Sequence, residues 1–135
     1  MSPEPTAARN LEIVRSLWDA TRTRDIDGAM SLVDADVEWF RVLFDGPPLR
    51  GREALVAYFE AIVSAGAVAD AHALSVEAVG DEFVVLSGAL RYRRPDNWLE
   101  TLEHWWVYRL RDGLIIRAQV CSTRADALAV TGQDS

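Results

Sequence analysis

The chain has a single cysteine, Cys121, among its 135 residues. One thiol cannot close an internal disulfide, so nothing in the composition signals an oxidising compartment. No apolar run approaches the roughly 20 residues needed to span a bilayer. The opening Met1-Ser2-Pro3-Glu4-Pro5-Thr6 carries neither a basic lead nor an apolar core, so it does not read as a secretory signal. A soluble, cytoplasmic protein is the expectation. Positive charge is also short: 14 Lys and Arg face 21 Asp and Glu, for a net charge of −7. That balance argues against a nucleic-acid partner, which needs clustered cations to replace counterions. It equally disfavours docking on an anionic membrane. His-x-x-x-His, Cys-x-x-Cys, Gly-x-Ser-x-Gly and phosphate-loop patterns are all missing. No metal and no organic cofactor is therefore expected.

What is present is an ordinary globular composition, 50% hydrophobic and 26% charged. The length suits one core, expected over residues 6–130, with loose tails at 1–5 and 131–135. Thr6 is placed to cap a helix from Ala7 to about Thr23, with Leu11, Val14, Leu17, Trp18 and Thr21 on one stripe. Asp25 caps a second helix, Ile26 to Val33, and Val37–Phe40 reads as a short strand. The prolines of Asp45-Gly46-Pro47-Pro48 impose a loop. Arg52 to Ala65 forms a third helix with Leu55, Phe59, Ile62 and Val63 buried, stopped by Gly66.

Beyond Gly66 the period changes to two. His72, Leu74, Val76 and Ala78 alternate against Ala73, Ser75, Glu77 and Val79, and Gly80-Asp81 turns the chain. Phe83–Arg94 is a long strand, Pro95-Asp96-Asn97 a turn, and Asp112-Gly113 a tight hairpin between two more strands. Thr123 caps a closing helix from Arg124 to about Val130. Helices first and a meander afterwards predict an α+β fold. Its curved antiparallel sheet would have four long strands and a short one. Three N-terminal helices would cover the concave face.

The last hairpin carries the chemistry. Leu102, His104, Trp106, Tyr108 and Leu110 share one strand face; Glu103, Trp105, Val107, Arg109 and Arg111 share the other. Pairing the strands about Asp96 sets His104 opposite Gly88, where the missing side chain leaves room. Pairing about Asp112-Gly113 sets it beside Val120. His104 is thus a candidate acid or base, or else a structural histidine tied to Glu100, Glu38 or backbone. Trp18, Trp39, Tyr58, Trp106 and Tyr108, with Val120, are candidates to line an apolar pocket, each with core packing as its alternative. Tyr58 adjoins Phe59, and only one of that pair is expected to point fully inward. Glu38 and Asp45 are further carboxylates, with Arg41 near both. Arg91, Arg93 and Arg94 cluster opposite Glu100 and Glu103 and can pair with them across strands. His72 has no spacing that links it to His104, and Cys121 reads as buried filler.

Several runs resemble SnoaL-like proteins. They are Ala20–Gly28, Val37-Glu38-Trp39, Leu49-Arg50-Gly51-Arg52-Glu53-Ala54-Leu55 ahead of Tyr58-Phe59, Tyr108–Arg117, and Arg124–Leu128. These belong to the nuclear transport factor 2-like superfamily, also called cystatin-like or ketosteroid-isomerase-like. The resemblance implies a conical half-barrel with its pocket between helices and sheet. It also implies a homodimer through the outer sheet face, which Trp105 and Val107 would suit. It does not carry over the catalytic groups. Leu17 stands where the steroid isomerases place a tyrosine, and Trp39 lies near their base. Trp106 takes the place of their protonated aspartate, and Val120 that of the acid found in polyketide cyclases.

The functional expectation is a protein that binds a small apolar molecule in the cone. If it is an enzyme, it is a cofactor-independent isomerase, lyase or cyclase working by proton transfer through His104. The alternatives are a non-catalytic binding protein and a dimerisation module whose own tryptophans fill the cone.

Overall fold

The structure is a computed structural model that describes residues 4–41, 46–66, 68–93 and 96–132. Its elements run α1 (Glu4–Thr23), α2 (Ile26–Met30), β1 (Val33–Trp39), β2 (Leu49–Arg50), α3 (Arg52–Ala65) and β3 (Val68–Val79). They continue through β4 (Phe83–Arg93), β5 (Leu99–Arg111), β6 (Leu114–Cys121) and α4 (Arg124–Val130). The α+β class and the order of helices before meander are as expected. Six strands, in the order β2-β1-β6-β5-β4-β3, form one sheet. It is one strand larger than the pattern predicts, and not wholly antiparallel, because β1 runs parallel to β6.

The local signals that worked are caps and turns. Asp25 accepts from the Gly28 N–H at 3.0 Å, and Thr123 accepts from the Asp126 N–H at 3.1 Å. Each satisfies a donor that the first helical turn leaves open. Asp112 and Gly113 both have positive φ, 52° and 79°, the left-handed pair that a two-residue hairpin requires. Other boundaries move. α1 begins at Glu4, inside the expected tail, so Thr6 lies within the helix and does not cap it. α2 stops at Met30, and Val33 opens β1 rather than closing a helix. Ala29, Met30 and Val33 are all buried, so inward residues at helical spacing had concealed the junction.

Two bulges bend β3, between Val68 and Asp70 and between Ala73 and Ser75. The second inverts the expected alternation. His72 pairs with Ala89 while Val76 pairs with Leu86, so the two stand on opposite faces of the sheet. His72 lies exposed and bonds Asp70 through Nε2 at 2.7 Å, holding that carboxyl below its ordinary range.

Both faces of the sheet are covered. α1 lies across β3 and reaches β4, and α3 packs on β1 and β2. The core beneath them holds Val14, Leu17, Trp18, Val37, Trp39, Leu86, Trp106 and Tyr108. Val63, expected in that core, is exposed on α3. Asn10 is buried with its amide donating to the Asp81 carbonyl at 3.0 Å, which ties α1 to the β3–β4 turn. On the opposite face α4 packs over β4, β5 and β6, closing a smaller cluster of Val85, Val107 and Ala127. Val107 is only 2% exposed beneath its own chain's helix, so it offers no surface to a second copy.

Candidate functional site

Every second residue of β5 and β4 faces α1–α3, and the aromatic residues among them meet others descending from the helices. Trp106 and Tyr108 of β5, Leu90 and Tyr92 of β4, Trp39 of β1, Trp18 of α1 and the Tyr58-Phe59 pair of α3 surround a cavity of about 260 Å³. Trp18 and Trp106 meet edge to face, centroids 4.9 Å apart at 79°. Trp39 meets Phe59 in the same way, at 5.6 Å and 89°. Such contacts satisfy the ring quadrupoles and add about 0.5–1.5 kcal/mol beyond area burial. The rings so fixed stand around the cavity as its walls.

Polar groups are few and mostly engaged. The Trp18 indole N–H donates to the Tyr108 hydroxyl at 2.8 Å in a fully buried bond. Burial pushes the Tyr108 phenol well above its ordinary range, against the smaller opposing effect of that bond. Burial raises Tyr58 as well, with the Arg41 charge acting the other way. Thr21 donates to the Leu17 carbonyl, and Tyr92 donates to Glu100 at 2.7 Å. Asp25, the one carboxylate at the cavity among the described residues, caps α2. Arg24 and Arg93 also line it, and Arg93 donates to Asn97 at 3.1 Å. No group of three potential metal ligands occurs among the described residues.

The structure brings five of the seven candidate site residues to this cavity: Trp18, Trp39, Tyr58, Trp106 and Tyr108. Tyr58 and Phe59 both reach it, contrary to the expectation that only one of them would. His104 and Val120 are not among its lining residues. His104 does pair with Gly88, yet the space above that glycine is taken. A β-carbon on Gly88 would lie 2.6 Å from the Trp18 ring, so the indole packs directly on the bare backbone. On its other side Val120 pairs with Trp106, and β6 ends at Cys121 beside Trp105, so the strand stops short of His104. The imidazole turns to its own backbone, with Nδ1 2.6 Å from the Glu103 carbonyl. A carbonyl only accepts, so Nδ1 carries the proton. Glu100 accepts from Tyr92 and Glu38 pairs with Arg50 and Arg117, and no bond from either to this ring is present among the described residues.

Glu38 faces away from Trp39 and bridges Arg50 at 2.9 Å and Arg117 at 3.3 Å, tying β1 to both neighbours. Arg41 donates to the Pro47 carbonyl at 3.4 Å. Arg91 pairs in register with Thr101, and Arg93 with Leu99. Asp45 and Arg94 lie outside the described residues. Cys121 is half-buried and its thiol is pushed up by burial and by Asp126. Leu90, Tyr92 and Ile62 were missed. A signal existed for the first two, since they follow Gly88 at period two on the same face, and Ile62 follows Tyr58 by one helical turn.

The fold is that of nuclear transport factor 2-like, or cystatin-like, proteins among the solved structures. Residues 14–118 match the model of the SnoaL-like domain, and the chain belongs to that family. No curated protein matches the chain. Solved structures do match, at identities that establish the fold alone. One is an NTF2-like protein of unknown function from Burkholderia pseudomallei, with TM-score 0.73 and 20% identity, covering 90% of this chain and 95% of that one. Another is a candidate polyketide cyclase from Sinorhizobium meliloti, with TM-score 0.68 and 19% identity, covering 81% and 93%. A third, from Mycobacterium tuberculosis, was solved in complex with estradiol-17β-hemisuccinate; its TM-score is 0.71 and its identity 19%, covering 83% and 92%.

Proposed function

We propose that this protein binds a small, largely apolar ring molecule in the cavity between its helices and its sheet, and holds it without converting it. The observation that carries the reading is the set of aromatic walls. Rings from four separate elements converge at right angles and leave about 260 Å³ unfilled. That exceeds the ~150 Å³ that accommodates benzene and approaches the ~300 Å³ at which drug-sized pockets begin. One or two fused rings is the size class. The steroid held by the Mycobacterium tuberculosis neighbour supports a ring-shaped ligand.

Binding has more support than turnover. An acid or base must reach the proton it moves, and His104 does not line the cavity. Asp25 is committed to capping α2. The reading as a pure dimerisation module has less support again. The tryptophans do not fill the cone, and α4 already covers Val107.

A thermal-shift series with ring compounds such as naphthalene and tetralin tests the proposal. Binding to the folded state raises the melting temperature. The natural protein is expected to respond, and Ile62→Trp, which fills the cavity from α3, to fold without responding. Equal shifts in both proteins, or none in either, would contradict the proposal.

A further inference from the structure

Tyr108 holds a hydroxyl at the cavity wall whose proton has no acceptor among the described residues. A tryptophan N–H is only a donor, so the 2.8 Å bond from Trp18 uses a lone pair of the Tyr108 oxygen and leaves its proton uncommitted. The other two tyrosines at the cavity differ. Tyr92 gives its proton to Glu100, and Tyr58 is only half-buried. Tyr108 is 2% exposed, a buried donor without a partner is costly, and the residue lines the cavity, where a ligand acceptor would satisfy it.

We infer that Tyr108 is the polar anchor of the cavity, donating to a carbonyl, ether or hydroxyl oxygen on an otherwise apolar ring. This rests on the binding role proposed above and adds the ligand's chemistry to it. The indole of Trp18 fixes the orientation of the donor. By feeding a proton to the Tyr108 oxygen it also strengthens the outward O–H, because hydrogen bonds in a chain polarise one another. Burial keeps the phenol protonated, so the anchor donates at any ordinary pH. Leu90 on the same cavity offers only apolar contact, while Trp39 and Trp106 present ring faces and one indole N–H each.

The test uses 1-tetralone and tetralin, which share a bicyclic frame and differ by one carbonyl oxygen. Dissociation constants follow from quenching of tryptophan fluorescence, for the natural protein and for Tyr108→Phe. The natural protein is expected to hold tetralone about tenfold more tightly than tetralin, and Tyr108→Phe to erase that preference. Because Tyr108→Phe orphans the Trp18 N–H and can impair folding, a second measurement on the natural protein stands beside it. The carbonyl stretch of bound tetralone is expected below its frequency in hexane, as for a hydrogen-bonded ketone. A Tyr108→Phe protein that keeps the tetralone preference, or an unshifted carbonyl band, overturns the anchor while leaving binding intact. Uptake of neither probe by the natural protein overturns the binding role and the anchor together.

Discussion

The two faces of one sheet solve the packing problem in opposite ways. Beneath α4, Val85, Val107 and Ala127 close on one another, with Phe83, Trp105 and Leu128 packed around them. Beneath α1–α3, indoles and phenols meet edge to face and enclose a cavity. Edge-to-face contacts hold the rings of that second face in fixed positions around the open space. One face is thus spent on stability, and the other trades some stability for space.

The comparison can be broken most forcefully at Trp106. Trp106→Ala should cost about 3–5 kcal/mol in urea denaturation, since the Trp18 ring loses its partner and a void opens. Val107→Ala, on the other face, should cost about 2 kcal/mol and leave every ligand-induced thermal shift unchanged. Loss of those shifts in Val107→Ala would show that the faces are not independent. Gly88→Ala should cost about 1–3 kcal/mol, because the new methyl drives into the Trp18 ring and that indole cannot retreat without disturbing its bond to Tyr108.

Alkaline pH sharpens the same contrast. The chain contains no lysine, all 14 of its basic residues being arginine, so tyrosine titration is not masked near pH 10. The folded state raises the pKa of Tyr108 above its ordinary 10.0 and so binds that proton more tightly than the unfolded chain does. This stabilisation is complete below about pH 10. It is lost as pH rises from there toward the folded value, at no more than about 1.4 kcal/mol per pH unit. Denaturation midpoints between pH 9 and pH 11 should fall in the natural protein and fall less steeply in Tyr108→Phe. The smallest effect is expected at His104. His104→Ala should change stability by under about 0.5 kcal/mol and leave the thermal shifts intact. A lost shift there would return the histidine to the site.

The sequence made the aromatic inner face legible because a strand's period of two sorts side chains whatever the pairing. Caps and turns were legible because Asp25, Thr123 and Asp112-Gly113 act within a few residues of themselves. What escaped was non-local. The parallel pairing of β1 with β6 joins segments some 80 residues apart, between Val33 and Ile115, and leaves no local pattern. The bulge after Ala73 adds one residue and reverses the face of everything beyond it, which a strict alternation cannot foresee. Gly88 does stand opposite His104, but the room expected above it is filled. Its occupant, the ring of Trp18, arrives from a helix 70 positions earlier, and only the tertiary structure shows that it fills the space in place of a ligand.

The five tryptophans provide the most direct test, because each indole N–H gives its own signal in a ¹H–¹⁵N spectrum. Trp18, Trp39 and Trp106 line the cavity, Trp105 stands on the outer face, and Trp98 is 70% exposed near the β4–β5 turn. On titration with 1-tetralone the first three signals should move together and saturate, while those of Trp105 and Trp98 stay fixed. Movement confined to Trp105 or Trp98, or no movement at all, would contradict a ligand held within the aromatic walls.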